Sequence, residues 1–108
     1  EVEREIAAFP GVLEAAVIGV PSPHGDQEVM AVIAPEPGAD VSPRAVTEFL
    51  AARCAHFMVP RFVRLVPGLP KTSTNKVTKD QLRREGVTPD TWDREAEGLR
   101  LRGQVLSA

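Results

Sequence analysis

One polar stretch in the second half of the chain holds the residues best suited to chemistry. It spans residues 69–86 and reads LPKTSTNKVTKDQLRREG. Within it, Lys76 directly follows four short polar residues, 72–75, which favour a constrained turn. A lysine presented by such a turn could be aimed at a bound group, because its charge is compact and its stem is long. The simpler interpretation is a solvated lysine in a polar loop before a helix.

The histidines and the cysteine give less indication of a functional site. His24 and His56 have no partner at metal-ligand spacing, so we predict no metal site. Cys54 lies on the apolar face of a predicted helix and reads as a small core residue rather than a nucleophile. It is the only cysteine, which excludes an intramolecular disulfide and favours a reducing cytoplasm. We expect Lys71 and Arg83 to be surface charges.

Length and composition describe a soluble globular domain. The chain has 108 residues, of which 43% are apolar and 26% charged, with a formal net charge of −2. The basic run between Arg61 and Arg84 lacks interleaved aromatics, so we predict no nucleic-acid partner. No apolar run approaches the roughly 20 residues of a membrane span. Because the chain begins at Glu1 inside a charged helical run, we expect it to be part of a longer protein.

The first half of the chain predicts one helix and two strands. Helical spacing of apolar residues predicts a helix over residues 1–8. The apolar side of this helix is formed by Val2, Ile6 and Phe9. Residues 12–20 and 29–34 are apolar without clean alternation, so we expect strands that are covered on both faces. They most simply pair antiparallel, as neighbours in one sheet.

The sequence from residue 42 onwards has the pattern of a strand–helix–strand crossover connection. Ser42 as N-cap and Pro43 at the first helical position begin a helix over residues 44–55. Residues 61–66 alternate like a strand, and together with the strand before the helix they could form a right-handed crossover. A further helix covers residues 78–85.

The third predicted helix has a recognisable start. Thr78 is the expected N-cap of this helix, with Gln81 at the capping-box position. Trp92 is expected to anchor the C-terminal segment by packing.

The elements predict an α+β fold, a small and mainly three-stranded sheet with helices on both faces. We assign residues 1–97 to this domain and expect residues 98–108 to be a flexible tail.

The polar stretch resembles a known signature. Residues 69–83 are similar, at nearly every fixed position, to the L-P-x-T-x-x-G-K-[IV]-x-[KR]-x-x-L-R motif in the C-terminal domain of adenylate-forming enzymes. That superfamily includes acyl-CoA synthetases, nonribosomal-peptide adenylation domains and firefly luciferase. Residues 1–38 and 56–70 resemble its upstream motifs, so the resemblance covers about ninety residues in the right order. The ending GVTPDTWDRE resembles crotonobetaine/carnitine-CoA ligases.

The chain departs from the family pattern at three places. Asn75 stands where the family has glycine, and asparagine tolerates a positive φ better than most residues. Phe57 and Met58 stand where the family has a tyrosine and a lysine. The family acid after the glycine of the first loop is displaced, with residues 26–28 following Gly25.

The resemblance implies a function for the lysine stretch. It implies an ATP-dependent acyl-CoA synthetase, an acid–thiol ligase whose C-terminal domain moves between two half-reactions. Lys76 would supply the cation for acyl adenylation, and the domain would then rotate for thioester formation with CoA. Thr72, Thr74 and Asn75 would form the turn that positions Lys76. Lys79 could contact CoA or a phosphate.

The resemblance also implies the partners. ATP, CoA and a carboxylic acid would be substrates of a cytoplasmic enzyme. A large N-terminal domain of the same polypeptide would hold Mg²⁺, the phosphate loop and the acyl pocket, so this fragment alone is expected to be inactive. Two alternatives remain: the end of a nonribosomal-peptide adenylation domain that serves a carrier protein, and a non-catalytic binding module of the same fold.

Overall fold

A four-stranded mixed sheet forms the centre of the molecule, in a computed structural model that describes residues 2–22, 25–102 and 105–107. The strands are β1 (Val12–Pro21), β2 (Gln27–Pro35), β3 (Phe62–Leu65) and β4 (Trp92–Asp93), in the order β1-β2-β3-β4. β1 pairs antiparallel with β2, β2 parallel with β3, and β3 antiparallel with β4. The predicted strands and the antiparallel pairing of the first two are confirmed. The short fourth strand is an addition to the three that the sequence predicts.

Helices cover both faces of the sheet, as the sequence predicts. On one face α1 (Val2–Ala7) and α2 (Pro43–Ala51) pack against Ala31 and Ile33 of β2. On the other face α3 (Lys79–Glu85) buries Leu82 among side chains from β1 and β2. Successive residues of a strand point to opposite faces, and therefore β2, which is buried on both, reads as a continuous apolar run.

The second helix begins as predicted, and the first has its predicted apolar side, although residue 1 lies outside the described part of the chain. Val2 and Ile6 of α1 are buried. Ser42 caps α2 with its Oγ, which accepts from the Ala45 N–H at 3.2 Å. α2 ends at Ala51, four residues before the expected end. The Leu50 carbonyl oxygen accepts the N–H groups of Arg53 at 3.0 Å and Cys54 at 2.8 Å, which closes the last turn.

The predicted capping box of α3 is wrong. Thr78 holds the N-cap position but makes no side-chain cap hydrogen bond. Its own N–H donates to the Pro70 carbonyl oxygen at 2.8 Å, and is therefore not free for Gln81. Gln81 instead donates forward from Nε2 to Glu85 Oε2 at 3.2 Å. The N-terminus of α3 is thus joined to the lysine stretch by backbone.

The C-terminal segment packs against the sheet. Trp92 pairs with Val63 and contacts the core on the α1 and α2 face, which confirms its expected role as a packing anchor. β5 (Arg100–Arg102) and β6 (Val105–Ser107) form an antiparallel pair, for which the sequence carries no clear signal. The division of the chain at residue 97 stays a prediction. Within the described ranges, no helix has the length and apolar character needed to cross a bilayer.

Candidate functional site

A tight hairpin turn carries Lys76. Lys71 and Val77 form an isolated antiparallel bridge at its base. The Asn75 N–H donates to the Thr72 carbonyl oxygen at 2.9 Å, and the Thr72 N–H donates to the Lys76 carbonyl oxygen at 2.8 Å. A turn closed in this way and followed by a left-handed residue is the three-residue hairpin loop with a bulge. The backbone on both sides of the turn is therefore fixed.

Asn75 is the left-handed residue of this turn. Its φ is +67°, a conformation that in the described part of the chain no other residue except glycine adopts. The sequence-based expectation that asparagine replaces the family glycine at a positive φ is confirmed. Asparagine is among the few residues that enter this region at low cost, since its side chain is short and polar.

Two threonine hydroxyls reinforce the turn. Thr72 Oγ1 accepts from the Lys76 N–H at 3.2 Å and lies 3.0 Å from Thr74 Oγ1. The Lys76 backbone is thus held by both the main chain and the side chain of Thr72. The Lys76 side chain is exposed, and among the residues that the structure describes it forms no ion pair. The geometry presents one unpaired ammonium on a fixed base.

The two neighbouring lysines are paired. Lys71 Nζ lies 2.6 Å from Glu14 Oε1, and Lys79 Nζ lies 2.6 Å from Glu3 Oε2. Glu3 Oε2 also accepts from the Val17 N–H at 2.7 Å. Partial burial raises the pKa of Glu3, but hydrogen bonds from Lys79 and Val17 outweigh it and leave the pKa below its usual value.

Lys79, the expected contact for CoA or a phosphate, is already paired with a carboxylate, and so is the expected surface charge Arg83. Lys79 is 38% exposed and already engaged, so any contact with a phosphate would have to replace Glu3. Arg83 is an exposed cation, as expected, and pairs with Asp80 at 2.8 Å within α3. The catalytic and binding roles of the site residues remain predictions at this point.

A buried arginine network lies at the other end of the sheet, and sequence reasoning missed it. Arg61, 10% exposed, donates to both oxygens of Asp93, from Nε at 3.0 Å and from Nη2 at 3.2 Å. Its Nη1 lies 3.4 Å from Glu28 and 3.6 Å from Glu95. Burial raises the pKa of Asp93, but the hydrogen bond and charge of Arg61, together with the backbone N–H groups of Glu95 and Ala96, outweigh burial and leave the pKa below its usual value. Through Arg61, the residue before β3, the network joins Asp93 of β4 to Glu28 of β2.

Among the residues that the structure describes, the remaining candidates form no site. His24 lies outside the described residues, and His56 begins a short 3₁₀ turn (His56–Met58). Cys54 is partly buried against the core, and burial raises the pKa of its thiol, which disfavours the nucleophilic thiolate. Within residues 2–22, 25–102 and 105–107, no group of three or more His, Cys, Asp or Glu could hold a metal ion.

Comparison with known proteins gives the family. Residues 1–76 match the AMP-binding enzyme C-terminal domain, and the chain belongs to this family. It is similar to the 3-[(3aS,4S,7aS)-7a-methyl-1,5-dioxo-octahydro-1H-inden-4-yl]propanoyl:CoA ligase of Rhodococcus jostii, with 41% identity over 79% of this chain and 16% of the relative. It is also similar to the 4-chlorobenzoate–CoA ligase of a Pseudomonas species, with 42% identity over 76% of this chain and 16% of the relative.

The fold has a close match among solved structures. ATP-bound MatB from Rhodopseudomonas palustris superposes with a TM-score of 0.73 at 38% identity, over 77% of this chain and 16% of that one. This match confirms the predicted α+β fold. The chain spans about one sixth of the length of the relatives that it matches, at 16% of each.

Proposed function

We propose that this chain is the C-terminal mobile domain of an ATP-dependent, AMP-forming acyl-CoA synthetase, and that Lys76 supplies the cation for acyl adenylation. One observation carries the proposal: Lys76 is an unpaired, exposed ammonium on a hydrogen-bonded turn, in a domain whose relatives above are CoA ligases. Those names also favour CoA over a carrier protein as the acyl acceptor.

The proposed first half-reaction brings two anions together. A carboxylate oxygen forms a bond to the α-phosphorus of ATP, the bond to the bridging oxygen breaks, and pyrophosphate leaves. Charge gathers on the non-bridging oxygens in the transition state. The Lys76 ammonium, bridging the carboxylate, the phosphate and the ribose oxygen, stabilises that charge more than it stabilises the separated substrates. One charge pair at 4 Å contributes roughly 4 kcal/mol at an effective dielectric of 20.

The turn makes this contribution efficient. A lysine side chain has a flexible stem, so its reach is broad unless its backbone is fixed. Here Thr72 and Asn75 fix that backbone through the turn hydrogen bonds. A catalytic group held in place before the substrate arrives has less freedom to lose in the transition state.

The proposed second half-reaction needs a different face of the domain. The domain rotates at a hinge, Lys76 leaves, and the CoA thiolate attacks the acyl-adenylate and releases AMP. Lys79, once released from Glu3, contacts a phosphate of CoA. We assign Mg²⁺, the phosphate loop and the acyl pocket to a large N-terminal domain. We also place the enzyme in the cytoplasm, in keeping with its single cysteine.

Product stoichiometry tests this proposal. The polypeptide that carries this domain is incubated with ATP, CoA and a panel of carboxylic acids, and the products are separated. One acid should give acyl-CoA, AMP and pyrophosphate in equal amounts, whereas the 108-residue chain alone should give none. Formation of ADP and phosphate, or sustained pyrophosphate release by the chain alone, would contradict the proposal.

A further inference from the structure

The three lysines of the polar stretch have different partners. Lys71 lies five residues before Lys76, and Lys79 lies three residues after it. The two outer lysines each contact a carboxylate at 2.6 Å, Lys71 that of Glu14 and Lys79 that of Glu3. In the part of the chain described, only the central lysine of the three lacks such a partner.

Both carboxylates come from elements far away in the sequence. Glu14 belongs to β1, and Glu3 belongs to α1. Glu3 is oriented by a second contact, because its Oε2 also accepts the Val17 N–H at 2.7 Å. The base of the hairpin and the first residue of α3 are therefore each held against the rest of the domain by one ion pair.

We propose that Glu3 and Glu14 are positioning residues for Lys76. By engaging the two flanking lysines they fix both ends of the segment that carries the turn, and they leave a single free ammonium for the anionic substrate. This inference rests on the proposed function. It adds two residues that lie outside the lysine motif and that do not touch the substrate.

The physical reason has two parts. A shift of about 1 Å in a catalytic group can cost on the order of 10²-fold in rate, so a small loosening of the segment is amplified in the chemistry. A released Lys71 or Lys79 would also compete with Lys76 for the phosphates of ATP in unproductive poses. Stability should change little, because ion pairs between half-exposed side chains contribute little to it.

Charge removal at the two glutamates tests the proposal in the enzyme that carries this domain. Glu3→Gln and Glu14→Gln should each lower the kcat of adenylation by about three- to tenfold, on the scale of a small misplacement. Thioester formation from supplied acyl-adenylate should be unchanged in Glu14→Gln and should not be slowed in Glu3→Gln, where Lys79 no longer has to leave a carboxylate partner. Glu48→Gln is the matched control, because Glu48 pairs with Arg44 within α2, at 3.4 Å, away from the turn.

A charge exchange separates positioning from a general defect. In the double variant Lys71→Glu with Glu14→Lys the ion pair is rebuilt with opposite polarity. This variant should recover most of the adenylation rate that Glu14→Gln loses. Adenylation at the control rate in both Glu→Gln variants, or failure of the exchanged pair to recover any rate, would overturn the inference.

A parallel measurement keeps this inference distinct from the proposed function. Amide order parameters of Asn75 and Lys76 in the 108-residue chain should fall from rigid values of about 0.85 towards 0.6 in Glu3→Gln and Glu14→Gln, but not in Glu48→Gln. If Lys76→Ala leaves adenylation intact, the proposed function fails. The order parameters then show independently whether Glu3 and Glu14 hold the segment that carries Lys76. If Lys76→Ala abolishes adenylation while the Glu→Gln variants match the control, only the positioning fails.

Discussion

Thr72 and Lys76 are joined twice: the Thr72 N–H donates to the Lys76 carbonyl oxygen at 2.8 Å, and Thr72 Oγ1 accepts the Lys76 N–H at 3.2 Å. Between them, Asn75 sits at φ +67° and closes the turn. The lysine therefore projects from a base whose geometry is set before any substrate binds.

Substitutions at Asn75 should follow backbone preference. Asn75→Gly should leave the free energy of unfolding within about 0.5 kcal/mol, since glycine enters the left-handed region freely. Asn75→Val should cost on the order of 1–2 kcal/mol, because a β-branched side chain is strained there. Urea denaturation of the 108-residue chain measures both. Equal stability of the two variants would contradict the role given to the turn.

Removal of Arg61 should destabilise the domain. Arg61→Met leaves the carboxylate of Asp93, whose side chain is 24% exposed, without its bidentate partner. We expect the free energy of unfolding to fall by about 2–3 kcal/mol, which is less than for a fully buried pair. Arg44→Met, which breaks an exposed pair within α2, should cost less than about 0.5 kcal/mol. Denaturant midpoints compare them, and similar midpoints for the two variants would show that the network contributes little.

Stability should fall as the pH is lowered into the acid range. The pKa values of Asp93 and Glu3 lie below their usual 3.8 and 4.5, so the folded state favours the ionised form of each group. Their contribution is complete above those usual values and is lost as the pH falls through the lower folded-state values. The free energy of unfolding should therefore decline from about pH 5 downwards.

Asp93→Asn provides the control for this pH dependence. The variant removes one of the two carboxyls, so its unfolding free energy should vary less steeply with pH below about 4. A slope identical to that of the unchanged chain would mean that Asp93 is not held ionised by Arg61. Thermal or urea unfolding at several pH values gives the slopes.

Local features of the fold could be predicted from the sequence. The strands β1 and β2 contain apolar runs and β3 alternates, and each of these patterns depends only on neighbours in the chain. The left-handed Asn75 is also a local property, set by the turn around it. Ser42 could be identified as a cap because its Oγ bonds the Ala45 N–H three residues on.

Contacts between distant segments could not be predicted in this way. The Arg61–Asp93 pair joins residues 32 apart. β4 has two residues, too few to show the alternation of apolar and polar residues that marks a strand. The capping box of α3 failed for the same reason, since the Pro70 carbonyl takes the Thr78 N–H. The sequence identified Lys76 as a candidate, but it gave no sign that the flanking lysines were engaged.

The half-reaction rates of Lys76→Ala, in the enzyme that carries this domain, test the central claim most directly. Adenylation, followed by pyrophosphate release, should slow by on the order of 10²–10³, the scale for loss of one preorganised charge. Thioester formation from supplied acyl-adenylate should be nearly unchanged, because Lys76 has left the site by then. Arg84→Ala, which removes an exposed cation of α3, should alter neither rate. Equal losses in both half-reactions, or no loss in adenylation, would contradict the account.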